Sequence, residues 1–289
     1  MYASYQFREF IEQALREDIG TGDLSSSIVP EDLTGLAKLY AKQQGIVAGI
    51  FIAEQTFLQV DAKTKTTRLV KDGDKVKPGD VVLELNGSLN SLLQAERTAL
   101  NFIQHLSGIA TATRRAVDLV AGLPVRIIDT RKTLAGWRTL QKYAVRVGGG
   151  YNHRFGLYDA VLLKDNHLWA VGGITEAFRL IRNEVGHTTI IQIECENMEQ
   201  IQEAISCGAD TILLDNMTPE QMREAVLYIN GRAVVEASGG IKESNLRQVA
   251  ETGVDLISMG ALTHSVQVLD FSLDFGDIKA NTKSQLRIK

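Results

Sequence analysis

The sequence predicts an α/β protein: an incomplete or variant parallel (β/α) barrel with an N-terminal α+β sandwich domain. Three observations lead there. Beyond residue 124 six short, nearly continuous apolar runs recur, VRIID, DAVLLK, TIIQIE, TILLD, AVVEA and LISMG, which is how strands buried on both faces of a parallel sheet read. Most are separated by helical patterns, ITEAFRLIRNEV, NMEQIQEAISCG, TPEQMREAVLYI and KESNLRQVAETG, and that alternation implies βα units with right-handed crossovers. Before about residue 110 the chain instead shows short alternating segments punctuated by Gly and Asp turns. Six runs fall short of the about eight strands of a complete barrel, so the barrel is incomplete or variant, or hides a strand.

In chain order, Phe7, Phe10, Ile11, Ala14 and Leu15 share one face of an N-terminal helix that ends in the turn DIGTGD. LAKLYAKQQGIVAGI, KTTRLV and DVVLELNG read as strands of an antiparallel or mixed sheet, with turns at Asp72-Gly73-Asp74 and Lys77-Pro78-Gly79-Asp80. DGDKVKPGDVVLEL has the local pattern of a lipoyl-type half-barrel but no swinging-arm lysine, so a shared β-turn geometry explains it. From Ser88 apolar residues recur at three- and four-residue intervals through SLLQAERTALNFIQHLSGIATATRRAVDLV, a helix expected to break or bend at Gly108. The corresponding domains are 1–110 and 111–271.

The 289 residues, 44% apolar and 23% charged, are enough for a large core and about two domains. A net charge of −4 argues against a general nucleic-acid binder. No apolar run reaches the roughly 18 residues of a membrane span, and MYASYQFREF lacks the apolar centre of a signal peptide. A cytoplasmic protein is expected. Cys195 and Cys207 form no C-x-x-C pair and have no His at ligand spacing, so both read as packing residues in a reducing compartment.

Against that acidic background Asp129 to His167 is basic. Arg131, Lys132, Arg138, Lys142, Arg146, Arg154 and Lys164 face only Asp129, Asp159 and Asp165. Such a cluster suits a small polyanion held in a cleft. Arg138, Lys142 and Arg146, spaced by four, read equally well as a solvated helix stripe. Arg131, Lys132 and Lys164 instead follow apolar runs, where side chains of a parallel sheet enter a site. The same rim would carry Asp129, Thr130, Asp165, Glu194, Asp215, Glu236, Ser238-Gly239-Gly240 and Met259-Gly260-Ala261. Any one of these could be a cap or a loop ion pair. Together they supply cations for acid groups, carboxylates for hydroxyls or a metal, and glycines that let backbone N–H groups approach a phosphate.

ALREDIGTGDLSS, ERTALNFIQHLSGIAT, DTRKTLAGWR, KYAVRVGGGYNHRFGLYDAVLLKDNH, IECEN, ILLDNM, EASGGI and VDLISMGALTHSVQVLDFSLDF together resemble the quinolinate phosphoribosyltransferases over nearly the whole chain. The resemblance implies that quinolinate and phosphoribosyl pyrophosphate give nicotinate mononucleotide, pyrophosphate and CO2, with Mg2+, in NAD biosynthesis. It implies Arg131, His153 and Arg154 on the diacid, and Lys132 and Lys164 on the diacid or pyrophosphate. Glu194 and Asp215 would meet the ribose hydroxyls and, directly or indirectly, Mg2+. Thr130 would also contact substrate. Ser238-Gly239-Gly240 and Met259-Gly260-Ala261 would bind the 5′-phosphate, and Lys132, Glu194 and Asp215 would be the catalytic residues. It further implies a homodimer or higher homo-oligomer in which Arg97 reaches the neighbouring subunit's site, and a segment 272–289 that returns to the first domain. Two alternatives stay open: a sibling enzyme that uses another acid such as nicotinate, and a non-catalytic anion sensor on the same fold.

Overall fold

The computed structural model describes residues 5–30 and 32–279. The chain divides into two units, Met1–Thr111 with Val266–Lys289, and Ala112–Ser265. The return to the first unit thus starts earlier than residue 272, and residues 280–289 of that expected segment lie outside the described residues.

In the first unit α1 (Tyr5–Ile19) buries Phe7, Ile11 and Leu15, one residue per turn. Then come β1 (Thr34–Ala41), β2 (Gly45–Ile46), α2 (Ile50–Val60), β3 (Lys65–Arg68), β4 (Lys75–Val76) and β5 (Val81–Ser88). The segment read as one strand at 36–50 is therefore β1, a turn and the short β2, which pairs with β4. α2 carries little sequence periodicity because Ile50, Ile52, Ala53, Thr56 and Phe57 are all buried, and Phe51 packs edge-on against Phe7 with centroids 5.1 Å apart. Its start is fixed by the expected turn, where Asp72 Oδ1 accepts the Ile50 N–H at 3.0 Å.

α3 (Leu89–Leu119) is continuous through Gly108, so of the expected break or bend the break does not occur. The glycine is there for space: a Cβ would stand 2.2 Å from the Gln267 carbonyl oxygen. After it the chain adds β12 (Phe271–Lys279) antiparallel to β1, giving a sheet in the order β12-β1-β5-β3. Leu39, Leu83, Leu85, Ile103 and Phe271 lie in the core of this unit.

The second unit contains β6 (Arg126–Ile128), α4 (Arg138–Val147), β7 (Val161–Leu163), α5 (Asp165–Val171), α6 (Ile174–Glu184), β8 (Ile191–Cys195), α7 (Met198–Cys207), β9 (Thr211–Asp215), α8 (Pro219–Ile229), β10 (Val234–Ser238), α9 (Glu243–Ala250), β11 (Leu256–Ser258) and α10 (Ala261–His264). Its six strands, all parallel, are ordered β6-β11-β10-β9-β8-β7. Chain neighbours are sheet neighbours except β6 and β7, and the last strand returns to the first, which is the pairing order of a barrel left open at one seam. At that seam Tyr151 forms a parallel bridge with Ile128, its N–H donating to the Ile127 carbonyl at 2.8 Å and its carbonyl accepting from Asp129 at 3.1 Å. That single-residue bridge adds an edge contact to β6 and no seventh strand to the sheet.

Each expected helix forms and buries its apolar face, for example Ile201 and Ala204 of α7 and Met222, Ala225 and Ile229 of α8. Thr218 and Gln221 cap α8 reciprocally, with Pro219 at its start. The α4 cations, which read equally well as ligand groups or as a solvated stripe, divide: Lys142 is fully buried, Arg138 donates to the Phe155 carbonyl at 2.9 Å, and exposed Arg146 donates to the Gly150 carbonyl at 2.8 Å. The glycines before Tyr151 serve close packing, since a Cβ on Gly150 would lie 2.8 Å from Thr113 Cγ2 and one on Gly149 3.0 Å from the Arg114 guanidinium.

Among the described residues no helix is long and apolar enough to cross a membrane.

Candidate active site

Side chains alternate across a strand, so residues two apart share a face. Leu162 and Lys164, Leu213 and Asp215, and Glu236 and Ser238 are such pairs. With Glu194 and Ser258 they line a cavity of about 520 Å³, completed by Thr130, Arg131, Lys132, His153, Arg154, Asn216, Gly239 and Gly240. The register puts Glu194 beside Leu213 and Leu213 beside Glu236, so these two carboxylates sit at one level on either side of a leucine. Asp215 pairs with Ser238 above them.

One wall is cationic. Arg131 and Lys132 follow β6, and the Lys132 N–H donates to Thr130 Oγ1 at 3.0 Å. His153 and Arg154 come from the irregular segment after Tyr151. His153 Nδ1 accepts the Arg154 backbone N–H at 2.7 Å, which leaves the ring proton on Nε2, 3.5 Å from Glu236 Oε2. Arg154 donates through Nη1 to the Ala160 carbonyl at 2.8 Å, while its buried Nε has no partner. Burial pulls the Arg154 pKa below the usual guanidinium value, and nearby Arg131 adds to that fall. Two neighbouring guanidiniums and an unused buried donor are stabilised by an anion.

Behind this wall lies a buried ion pair. Asp129 and Lys142 are both fully buried and bonded to each other. Asp129 also accepts from the His153 N–H at 2.8 Å and from Asn152 Nδ2 at 2.6 Å, and Lys142 Nζ donates to the His153 carbonyl at 2.9 Å. Burial pushes the Asp129 carboxyl up and the Lys142 ammonium down, and their attraction opposes both shifts. Taking two charges out of water costs several kcal/mol per ion before such bonds are counted.

The opposite wall is acidic. Glu194 pairs with Lys164 across adjacent strands β8 and β7. Asp215 accepts from Asn216 Nδ2 at 2.7 Å. Asn216 has a positive φ of 54°, and a Cβ on Gly239, itself at φ 88°, would stand 2.2 Å from Asn216 Oδ1. The turn after β10 therefore needs glycine both for conformation and for space. Among the described residues no group of three or more His, Cys, Asp or Glu side chains gathers to hold a metal. Glu194 and Asp215, both lining the cavity, are hard oxygen donors of the kind that would hold magnesium.

Thr130, Arg131, Lys132, His153, Arg154, Lys164, Glu194, Asp215, Ser238, Gly239 and Gly240 thus meet in one cavity. Met259, Gly260 and Ala261 are not among its lining residues, although a Cβ on Gly260 would lie 3.1 Å from Lys132 Cδ. Arg97 is an exposed residue of α3 in the first unit. Sequence reasoning left out Asn216, Ser258, Leu162 and Leu213, and put Glu236 on the rim without a function. The i, i+2 spacing from Lys164, Asp215 and Ser238 would have found Leu162, Leu213 and Glu236. Cys195 is buried, its thiol pushed by burial to about 12, which removes it as a nucleophile near neutral pH.

Comparison with known proteins fits this arrangement. The family model for the C-terminal domain of quinolinate phosphoribosyl transferase matches residues 109–274, and that for its N-terminal domain matches residues 23–107. A probable carboxylating nicotinate-nucleotide pyrophosphorylase of Bacillus subtilis is 46% identical over 269 residues, 93% of each chain. A mitochondrial quinolinate phosphoribosyltransferase of Nicotiana glauca is 39% identical over 94% of this chain and 83% of its own. Among solved structures, NadC from Streptococcus pyogenes superposes with a TM-score of 0.92 at 40% identity, covering 96% of this chain and 99% of that one. Matched in both halves and over nearly its full length, the chain belongs to the quinolinate phosphoribosyltransferase family.

Proposed function

We propose that the cavity binds quinolinate on its cationic wall and phosphoribosyl pyrophosphate across its acidic wall. The chain is a phosphoribosyltransferase of the carboxylating family, and its reaction is the formation of nicotinate mononucleotide, pyrophosphate and CO2 for NAD synthesis. One observation carries the assignment of roles. Arg131, Lys132, His153, Arg154 and Lys164 line the same cavity as Glu194, Asp215 and the turn Ser238-Gly239-Gly240. Planar guanidinium forks at Arg131 and Arg154 match two carboxylates. The glycine turn would let backbone N–H groups approach the 5′-phosphate, and Met259-Gly260-Ala261, which follow the neighbouring strand β11, would add to that site.

In this scheme the ring nitrogen attacks the sugar C1 as pyrophosphate departs, through a transition state of oxocarbenium character. Glu194 and Asp215 stabilise its positive charge, and Lys132 and Lys164 neutralise the leaving group. Glu194 and Asp215 would also hold magnesium, which would spread the charge of the diphosphate when bound. The alkylated nitrogen is cationic and stabilises the electron pair left on the adjacent ring carbon when its carboxylate leaves as CO2, and that carbon then takes a proton from water. No protein nucleophile is required, so rate enhancement comes from positioning and fixed charge. The active unit is a homodimer or larger, with Arg97 of one chain completing the site of another. An enzyme for these anions is expected in the cytoplasm.

Pyrophosphate release with Mg2+, phosphoribosyl pyrophosphate and either acid tests the acid assignment. Quinolinate should exceed nicotinate in kcat/KM by at least about 100-fold, because nicotinate leaves part of the cationic wall, including the buried Arg154 Nε, unpaired. Equal turnover of both acids would support the sibling enzyme. Binding of either ligand without any pyrophosphate release would support an anion sensor.

A further inference from the structure

The Asp129–Lys142 pair lies behind the cavity and contributes no lining side chain. Both side chains are fully buried, yet neither lines the site. Their bonds converge on one residue that does. The His153 N–H ends on Asp129 and the His153 carbonyl on Lys142 Nζ, at 2.8 and 2.9 Å. Asn152 closes the group, its Nδ2 reaching Asp129 at 2.6 Å and the Lys142 carbonyl at 2.9 Å. Phe155 covers the ammonium, its ring centroid 5.1 Å from Nζ.

The segment 152–160 carries no regular secondary structure, so no helix or strand ladder sets the backbone of His153 and Arg154. Side chains must do so instead. Three elements are pinned together here: the end of β6 through Asp129, α4 through Lys142, and the loop through Asn152 and His153. A buried ion pair is often replaceable by apolar side chains without loss of stability, so stability alone is a poor reason for it. Fixing one loop geometry is a better one. The consequence passes along the chain, since the Arg154 N–H is bonded to the His153 ring.

We propose that Asp129 and Lys142 are positioning residues that hold His153 and Arg154 in register for the diacid, and so govern its binding rather than the chemistry. This rests on the assignment of His153 and Arg154 to quinolinate. The test compares wild type with two double variants, Asp129→Leu/Lys142→Met and Asp129→Asn/Lys142→Met. The first removes both anchors of the His153 backbone. The second keeps an acceptor for its N–H. The first should raise KM for quinolinate by about 10- to 100-fold, in line with the cost of misplacing a group by about 1 Å. The second should raise it by about 5-fold, because one anchor remains. In both, kcat at saturating quinolinate and KM for phosphoribosyl pyrophosphate should stay within about 3-fold of wild type.

A quinolinate KM within 2-fold of wild type in the Leu/Met variant overturns the proposal, as does a fall in kcat with KM unchanged. Should the Leu/Met protein not fold, the Asn/Met protein decides: an unchanged quinolinate KM contradicts the proposal. Wild-type protein that releases no pyrophosphate with quinolinate would instead defeat the substrate assignment, so the two failures are distinct.

Discussion

Lys132→Ala is expected to lower kcat/KM by about 10²- to 10³-fold, the usual loss when one fixed group aimed at developing charge is removed. At about 1.4 kcal/mol per tenfold, that is about 3–4 kcal/mol of transition-state stabilisation. The fold should be indifferent to the change. The Lys132 side chain is exposed in the cavity and forms no salt bridge among the described residues. Its backbone is held independently, the N–H by Thr130 Oγ1 at 3.0 Å and the carbonyl by Thr263 Oγ1 at 2.8 Å. Arg131→Ala should likewise cut turnover of quinolinate while leaving the thermal midpoint in place. Near-normal kcat/KM in both variants would remove Arg131 and Lys132 from the mechanism.

The second large effect is at Glu194. Glu194→Gln keeps the shape and one acceptor but deletes the charge, and should lower kcat by about 10²-fold with little change in KM for quinolinate. Glu194 sits at the level of Glu236 on the acidic wall, its carboxylate paired with Lys164 and its side chain only 12% exposed. In a partly closed cavity a full charge stabilises an oxocarbenium far more than an amide dipole does. The structural cost should be small, because the Lys164 side chain is 46% exposed and can be resolvated. A Gln variant with wild-type kcat would place the stabilising charge elsewhere, with Asp215 the next carboxylate in the cavity.

Much of the fold was legible because parallel strands buried on both faces have nothing polar to interrupt them. VRIID and its five counterparts each became a strand of one sheet. The site was legible for a related reason: residues at or just past the ends of those runs lie at the sheet's carboxyl edge, and Arg131, Lys132, Lys164 and Asp215 line the cavity there. What was hidden depends on contacts between elements distant in sequence. Lys142 sits in a four-residue rhythm of cations that looks like an exposed stripe, and only the approach of Asp129 and Asn152 makes it a buried anchor. Gly108 looks like a helix breaker until the Gln267 carbonyl is seen where its side chain would be. α2 escaped notice because a helix buried on most sides has no polar face to give it a period. Tyr151 pairs through one residue, too short a stretch for any pattern.

The most direct test of the whole account is the stoichiometry of the reaction. Purified protein with Mg2+, phosphoribosyl pyrophosphate and quinolinate labelled in the carboxylate beside the ring nitrogen should release labelled CO2 and pyrophosphate in equimolar amounts. Pyrophosphate without CO2, or neither product, would contradict it.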